Sequence, residues 1–282
     1  MSPATSIRCS TVAGLFYTKK PEVLRKELAD MFSVAEKRPI PGKVMGIVAP
    51  HAGYMYSGPT AAAAYAHVVG EKYDTVVVVS PSHHEFFEGV SVYPGDMYET
   101  PLGRVRIDAA LRTEVLAAGR VLRPTEAGHR QEHAIEVQLP FLQFALGDFL
   151  LLPLVVGHQT RDACFSLAET LTEVLRGKNA LLVASTDLSH YYPAAVARNL
   201  DQVVAEDIEK FDAAKLMDHL DEGVAEACGG GPAVSVMMAL QRLGATQMVV
   251  LAQCNSGDIT GETDSVVGYL SAVAWSSRVQ ST

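Results

Sequence analysis

The chain lacks any apolar run approaching the roughly 20 residues needed to span a bilayer. Its first residues, MSPATSIRCSTVAGLFYTKKPE, lack the basic start and following apolar block of a secretory signal. Clustered basic residues are missing too. Lys and Arg number 23 against 32 acids, a net charge of −9. The nearest basic run, EKRPIPGK at 36–43, reads as a solvated approach to a strand. No nucleic-acid or anionic-membrane partner is therefore expected. The four cysteines (Cys9, Cys164, Cys228, Cys254) have no paired spacing. They read as intracellular thiols rather than a disulfide framework, and the expected location is cytoplasmic. Internal repeats, low-complexity linkers and composition breaks are also absent, so residues 1–282 read as one domain. With 48% hydrophobic residues there is ample material for a large core.

What the chain does contain is a series of short apolar runs that end in polar turns. Val44–Ala49 (VMGIVA) ends at Pro50-His51, and Thr75–Ser80 (TVVVVS) at Pro81-Ser82-His83-His84. Phe149–Val156 ends at Gly157-His158, and Leu181–Ser185 at Thr186-Asp187-Leu188-Ser189-His190. Met248–Ala252 and Val266–Val273 follow. Continuous Val- and Leu-rich runs suit strands buried on both faces. Helical patterns lie between them, at Thr60–Val69, Glu132–Phe144, Arg161–Leu175, Ala194–Phe211, Ala213–Ala227 and Ala233–Leu243. Pro140 should kink or shorten the second of these. The alternation predicts a single-domain α/β fold, with a mainly parallel central sheet flanked by helices. Residues 86–108 predict a hairpin excursion from that sheet.

In open α/β sheets, ligands bind beyond the carboxyl ends of the strands. Three runs deliver a histidine there: His51, His83 or His84, and His190, the last accompanied by Asp187. His158 follows a fourth run. One such histidine is usually a satisfied turn residue. Several on one rim indicate a metal site, a proton-transfer site or both, because neutral imidazole serves either purpose near pH 7. Gly53 and Gly58 of PHAGYMYSG allow a tight turn and close approach to a ligand. Tyr54 and Tyr56 could line the pocket, although amphipathic packing explains them equally well. Ser57 and Ser82 read as turn residues.

Cys228 closes a helix-like segment and precedes Gly229-Gly230-Gly231-Pro232. The glycines suit a left-handed helix end, and Pro232 suits the first turn of the next helix. A thiol near that helix start would be favoured as thiolate, able to bind a metal or attack an electrophile. The other reading is a buried, inert cysteine, which is also the reading for Cys9, Cys164 and Cys254. Glu132-His133-Ala134-Ile135-Glu136 is expected to open a helix, with His133 and Glu136 on one side. Glu132 suits the helix N-terminus, and His133 is a second-layer or substrate candidate.

The blocks APHAGYMYSG (49–58), SPSHHEFFEGVSV (80–92), ETPLGRVRID (99–108), EHAIEVQLPFLQ (132–143), LLPLVVG (151–157), STDLSHY (185–191) and CGGGPAV (228–234) resemble, in order, those of the Memo family. Its prokaryotic members are labelled AmmeMemoRadiSam system protein B. The resemblance implies a fold similar to the LigB-type extradiol dioxygenases, with a metal pocket at one edge of the sheet. It implies metal ligation by His51, His83 and Cys228, with Asp187 and His190 as catalytic pocket residues. His133, Tyr54 and His84 are then substrate-binding or supporting candidates. In the dioxygenases two histidines and a Glu hold iron, and here Cys228 stands where that Glu is expected. A thiolate is softer and suits copper or zinc as well as iron.

Four functions compete. The leading expectation is a redox-active metalloenzyme using iron or copper, with His190 as acid–base and Asp187 orienting a histidine. A zinc-dependent hydrolase could use the same ligands. A non-catalytic adaptor is implied by the eukaryotic family members, but phosphopeptide capture usually needs arginines that this chain does not cluster. Metal-free nucleophilic chemistry at Cys228 is the fourth. The ligand is expected to be a small molecule or peptide. The family label further implies a radical-enzyme or AMMECR-like protein partner.

Overall fold

A computed structural model describes residues 5–277. The chain runs β1 (Ile7–Arg8), α1 (Pro21–Val34), β2 (Gly42–Ala49), α2 (Tyr54–Tyr65), β3 (Thr75–Pro81), β4 (Val90–Val92), β5 (Met97–Thr100), β6 (Gly103–Ile107), α3 (Ala109–Ala118) and β7 (Leu122–Pro124). It continues α4 (Gln138–Leu146), β8 (Leu150–Val156), α5 (Arg161–Leu175), β9 (Ala180–Ser185), β10 (His190–Tyr192), α6 (Ala194–Glu209), α7 (Ala213–Asp221), α8 (Gly230–Arg242), β11 (Gln247–Asn255), α9 (Ser256–Thr260) and β12 (Val266–Ser277).

The sheet order is β1-β5-β6-β8-β3-β9-β2-β12-β10, with β11 on β12 and β4 and β7 extending from β8. Its centre, β8-β3-β9-β2, is parallel, as the apolar runs predict. Alternate side chains of one strand enter opposite cores. Val77 and Val79 of β3 pack beneath α5 and α8, while Val76 and Val78 pack with α1, α2 and α4. Each such side chain, wholly buried, contributes about 1.5–3 kcal/mol. Both faces are covered by helices, so the strands need no polar face. Beyond β2 the sheet turns antiparallel through β12.

Several expectations need correction. Residues 86–108 do form a hairpin, β5 with β6, but β6 and β4 pair with β8 and widen the main sheet. α2 starts at Tyr54, six residues before the helical pattern suggested, and runs through Gly58-Pro59. Gly58 serves packing rather than ligand approach, since a Cβ there would meet Met31 Sδ of α1 at 2.6 Å. Regular helix begins only at Gln138, leaving residues 132–133 irregular and 134–137 as turns. α7 stops at Asp221, so Cys228 lies in a loop rather than at a helix end.

Candidate metal centre

Three parallel strands set the site. β2, β3 and β9 are adjacent, and their carboxyl ends release His51, His83 and Asp187 onto one rim. Cys228 comes from the loop before α8, a helix that packs on this part of the sheet. The loop can lie so low because Gly229 has no side chain: a Cβ there would stand 2.2 Å from Ser185 O and 2.8 Å from Thr186 Cβ. Its φ is −108°, so close approach and not a left-handed turn requires the glycine. The Cys228 loop is tied down further by Gln159, which donates to Cys228 O at 2.7 Å and accepts from Gly231 N at 2.8 Å.

His51 is 1% exposed. Its backbone N–H donates to Asp187 Oδ1 at 2.7 Å, and its Nδ1 meets Ser185 Oγ at 2.9 Å. Ser185 Oγ gives its own proton to Ala134 O (2.7 Å) and accepts from Gln138 Nε2 (2.7 Å). Toward His51 it can only accept, so Nδ1 carries the hydrogen and Nε2 is left with its lone pair. That Nε2 points at Cys228 Sγ, 3.2 Å away. Burial, with His83 adding to it, pulls His51 down to about 3, so the ring is neutral at pH 7.

His83 is fixed by a different device. Glu132, 3% exposed, accepts from His83 N at 2.6 Å and from His83 Nδ1 at 2.9 Å, and also from the backbone N–H groups of His133 and Ala134, both at 2.9 Å. Burial pushes Glu132 up, but the His83 hydrogen bond and charge outweigh it and hold the carboxyl at about 2. Burial likewise opposes the charged form of His83, yet Glu132 lifts His83 above its ordinary value. With Nδ1 committed to a carboxylate, His83 also presents Nε2. The ligand atoms of His51, His83 and Cys228 all lie within 4.8 Å of one another. Bonds of about 2.0–2.3 Å place tetrahedral neighbours near 3.5 Å apart. The His51–Cys228 pair already has that spacing, so the three residues fit a single ion.

The Cys228 thiol is pushed well above its ordinary range by burial, and the Asp187 carboxylate adds to this. The thiolate expected from the helix start is therefore not favoured without a cation beside it. Asp187 also acts differently from expectation. Its carboxylate holds the His51 backbone, with Oδ2 4.0 Å from His51 Nε2, while Ser185 orients the ring. Its main chain brackets Cys228, with Asp187 N 3.3 Å from Sγ and Cys228 N donating to Asp187 O at 3.2 Å.

A cavity of about 580 Å³ opens over these groups. His133 and His190 line it with Asp187, and so do Leu15, Phe16, Tyr56 and Tyr269. The His133 ring stacks on His83 at 4.8 Å, and burial draws it down to about 4. His190 is held by its backbone N–H on Glu226 Oε1 at 3.2 Å. Three candidates fall outside the cavity. Tyr54 is buried and donates to Val137 O at 2.8 Å. His84 is exposed, its ring 6.1 Å from that of His133. His158 faces Glu88 at the surface, 3.4 Å away. Glu136 does not share the His133 side, since its carboxylate takes Arg8, Thr11, Val12 and Tyr17. Sequence reasoning missed the grip of Glu132, the role of Ser185 and the Leu15–Phe16 wall. For Ser185 the only signal was its place at the end of an apolar run.

Fold and rim define an α/β protein with a two-histidine, one-cysteine cluster beyond the ends of its parallel strands. The family model described as Memo-like protein matches residues 8–273, and the chain belongs to the Memo family. A MEMO1 family protein of Methanosarcina mazei is 38% identical over 270 residues, covering 95% of this chain and 98% of its own. One from Thermotoga neapolitana is 38% identical over 280 residues, at 95% and 99% coverage. An uncharacterized protein of Escherichia coli K12, solved by crystallography, is similar in fold, with a TM-score of 0.54 and 17% identity. That match covers 82% of this chain and 99% of the other. No described helix is long and apolar enough to cross a membrane.

Proposed function

We propose that this chain is a redox-active metalloprotein that holds iron or copper on His51 Nε2, His83 Nε2 and Cys228 Sγ. The observation that supports it most directly is the 3.2 Å approach of His51 Nε2 to Cys228 Sγ, with His83 completing a set within 4.8 Å. Two imidazoles and a thiolate match the preferences of late first-row metals. All three residues line the cavity, so an ion there faces open space on its other side. A bound iron or copper would supply one-electron redox chemistry and polarise a ligand.

The chain's own residues do the rest. Ser185 and Glu132 keep both Nδ1 atoms protonated, so that Nε2 is the ligating nitrogen of each ring. His83, raised by Glu132, gives up its Nε2 proton when the metal binds. His190 is the acid–base group at the mouth, and His133 meets the ligand beside His83. The cavity lining contains no Lys or Arg. A phosphate or carboxylate group would have only the metal ion and the histidines as cationic partners there, so a phosphorylated peptide would lack the arginines that usually grip it.

Elemental analysis of protein purified without added metal tests this reading. Iron or copper near one equivalent, lost in His51→Ala and His83→Ala, is the expected result. One equivalent of zinc would replace it with the hydrolase reading. No metal, together with unaltered ligand binding in Cys228→Ser, would replace it with a binding protein.

A further inference from the structure

We propose that the buried pair Arg8–Glu136 is a positioning device that sets two walls of the metal cavity in one register. Glu136 is 0% exposed, yet its carboxylate accepts from five donors. These are Arg8 Nη1, Thr11 N (2.8 Å), Thr11 Oγ1 (3.1 Å), Val12 N (3.1 Å) and Tyr17 OH (2.7 Å). Arg8 in turn donates through Nε to His129 O (3.0 Å) and through Nη2 to Glu132 O and Thr11 Oγ1. Its guanidinium lies 5.2 Å from the centre of the Tyr98 ring.

Nearly all of these bonds join two segments, 8–17 and 129–136, and both segments end in the cavity. The first supplies Leu15 and Phe16. The second supplies His133, and Glu132 that grips His83. Phe16 and His133 meet with ring centres 4.8 Å apart. A slip at the pair would move the apolar wall and the His83 grip together. Bulk stability does not require charges here, since apolar side chains of similar volume hold such contacts as well. What a buried pair with saturated hydrogen bonds adds is a unique register, because any other alignment strands a charge. The His83 half of this inference rests on the metal reading above; the wall half does not.

The test uses the full metal-free chain and iodoacetamide, with alkylation at each cysteine followed by peptide mass. Cys228 lines the cavity, whereas Cys164 lies wholly buried on the inner face of α5 and reports general loosening. Glu136→Gln should speed Cys228 alkylation at least tenfold and leave Cys164 unchanged. Tyr17→Phe and Thr11→Val, which keep both charges and remove one hydroxyl each (that of Thr11 also accepts from Arg8 Nη2), should speed Cys228 less, and they carry the test if Glu136→Gln does not fold. A Cys228 rate within twofold of the parent overturns the proposal. So does a parallel rise at Cys164, which would make the pair a general stabiliser. Titration with Co(II) is the second arm, with affinity expected to fall at least tenfold in Glu136→Gln. A parent that binds no Co(II) overturns the metal reading and the His83 half, while the alkylation arm still decides the wall.

Discussion

Replacing Glu132 by Gln isolates the carboxylate from the shape around it. The side chain is 3% exposed and takes three N–H donors on Oε1 (His83 Nδ1, His133 N, Ala134 N) and one on Oε2 (His83 N). If the amide keeps its oxygen on the first three, its NH₂ faces His83 N across the present 2.6 Å, donor against donor. One buried N–H is then left without an acceptor, at about 1–3 kcal/mol. Loss of the charge also makes His83 a poorer donor to a cation. Partners of this kind typically change metal affinity 10–100-fold, or about 1.4–2.7 kcal/mol. Chelator competition with Cu(II) or Co(II) at pH 7.5, alongside a thermal melt, should show a loss in that range and smaller than that of His83→Ala. A folded Glu132→Gln variant that binds within twofold of the parent would refute the assignment of Glu132 as the group that presents His83.

Two further outcomes follow from the geometry. Gly229→Ala places a methyl 2.2 Å from Ser185 O, so the Cys228 loop must lift. It should cost about 1–3 kcal/mol of stability and weaken metal binding, both read from melts with and without metal; an unchanged melt would contradict the packing. In metal-free protein, burial holds His51 and His129 at about 3 and His133 at about 4, below the ordinary value of 6.5. The unfolded chain therefore binds more protons than the native one between pH 6.5 and 4, and stability falls as pH drops through that window. Each of the three removes up to about 1.4 kcal/mol per pH unit, while His83, raised by Glu132, acts in the opposite direction. Urea midpoints at pH 7.5, 6 and 5 should decline in order, and a flat profile would mean that these rings are solvated.

The parallel centre of the sheet was legible because β3 and β8 are apolar on both faces, a pattern that only a helix-covered strand needs. The helices were read less well near breakers. Gly58 looked like a tight turn and Thr60 like the helix start, but α2 begins at Tyr54 and runs through Gly58-Pro59, with Gly58 leaving room for Met31. Glu132–Val137 looked like helix, but those residues are held out of regular helix by bonds that Glu132 and Glu136 make outside their own segment. Tyr54 and His84 sit beside motif residues and shared their apparent significance, although neither lines the cavity.

Read alone, the chain determined that histidines would follow β2, β3 and β9, because apolar periodicity places strand ends and the residues after them. Which of these rings meet, and by which nitrogen, was decided only by the tertiary structure. Runs such as VVVV and LLVA are interchangeable in pattern and do not state that β9 lies between β3 and β2. That order brings Ser185 beneath His51 and opens the gap into which Gly229 lowers Cys228. The hydrogen bonds that choose Nε2 come from Ser185 and Glu132, which lie 134 and 49 residues from the rings they fix. Local pattern cannot carry information across such separations, and packing can.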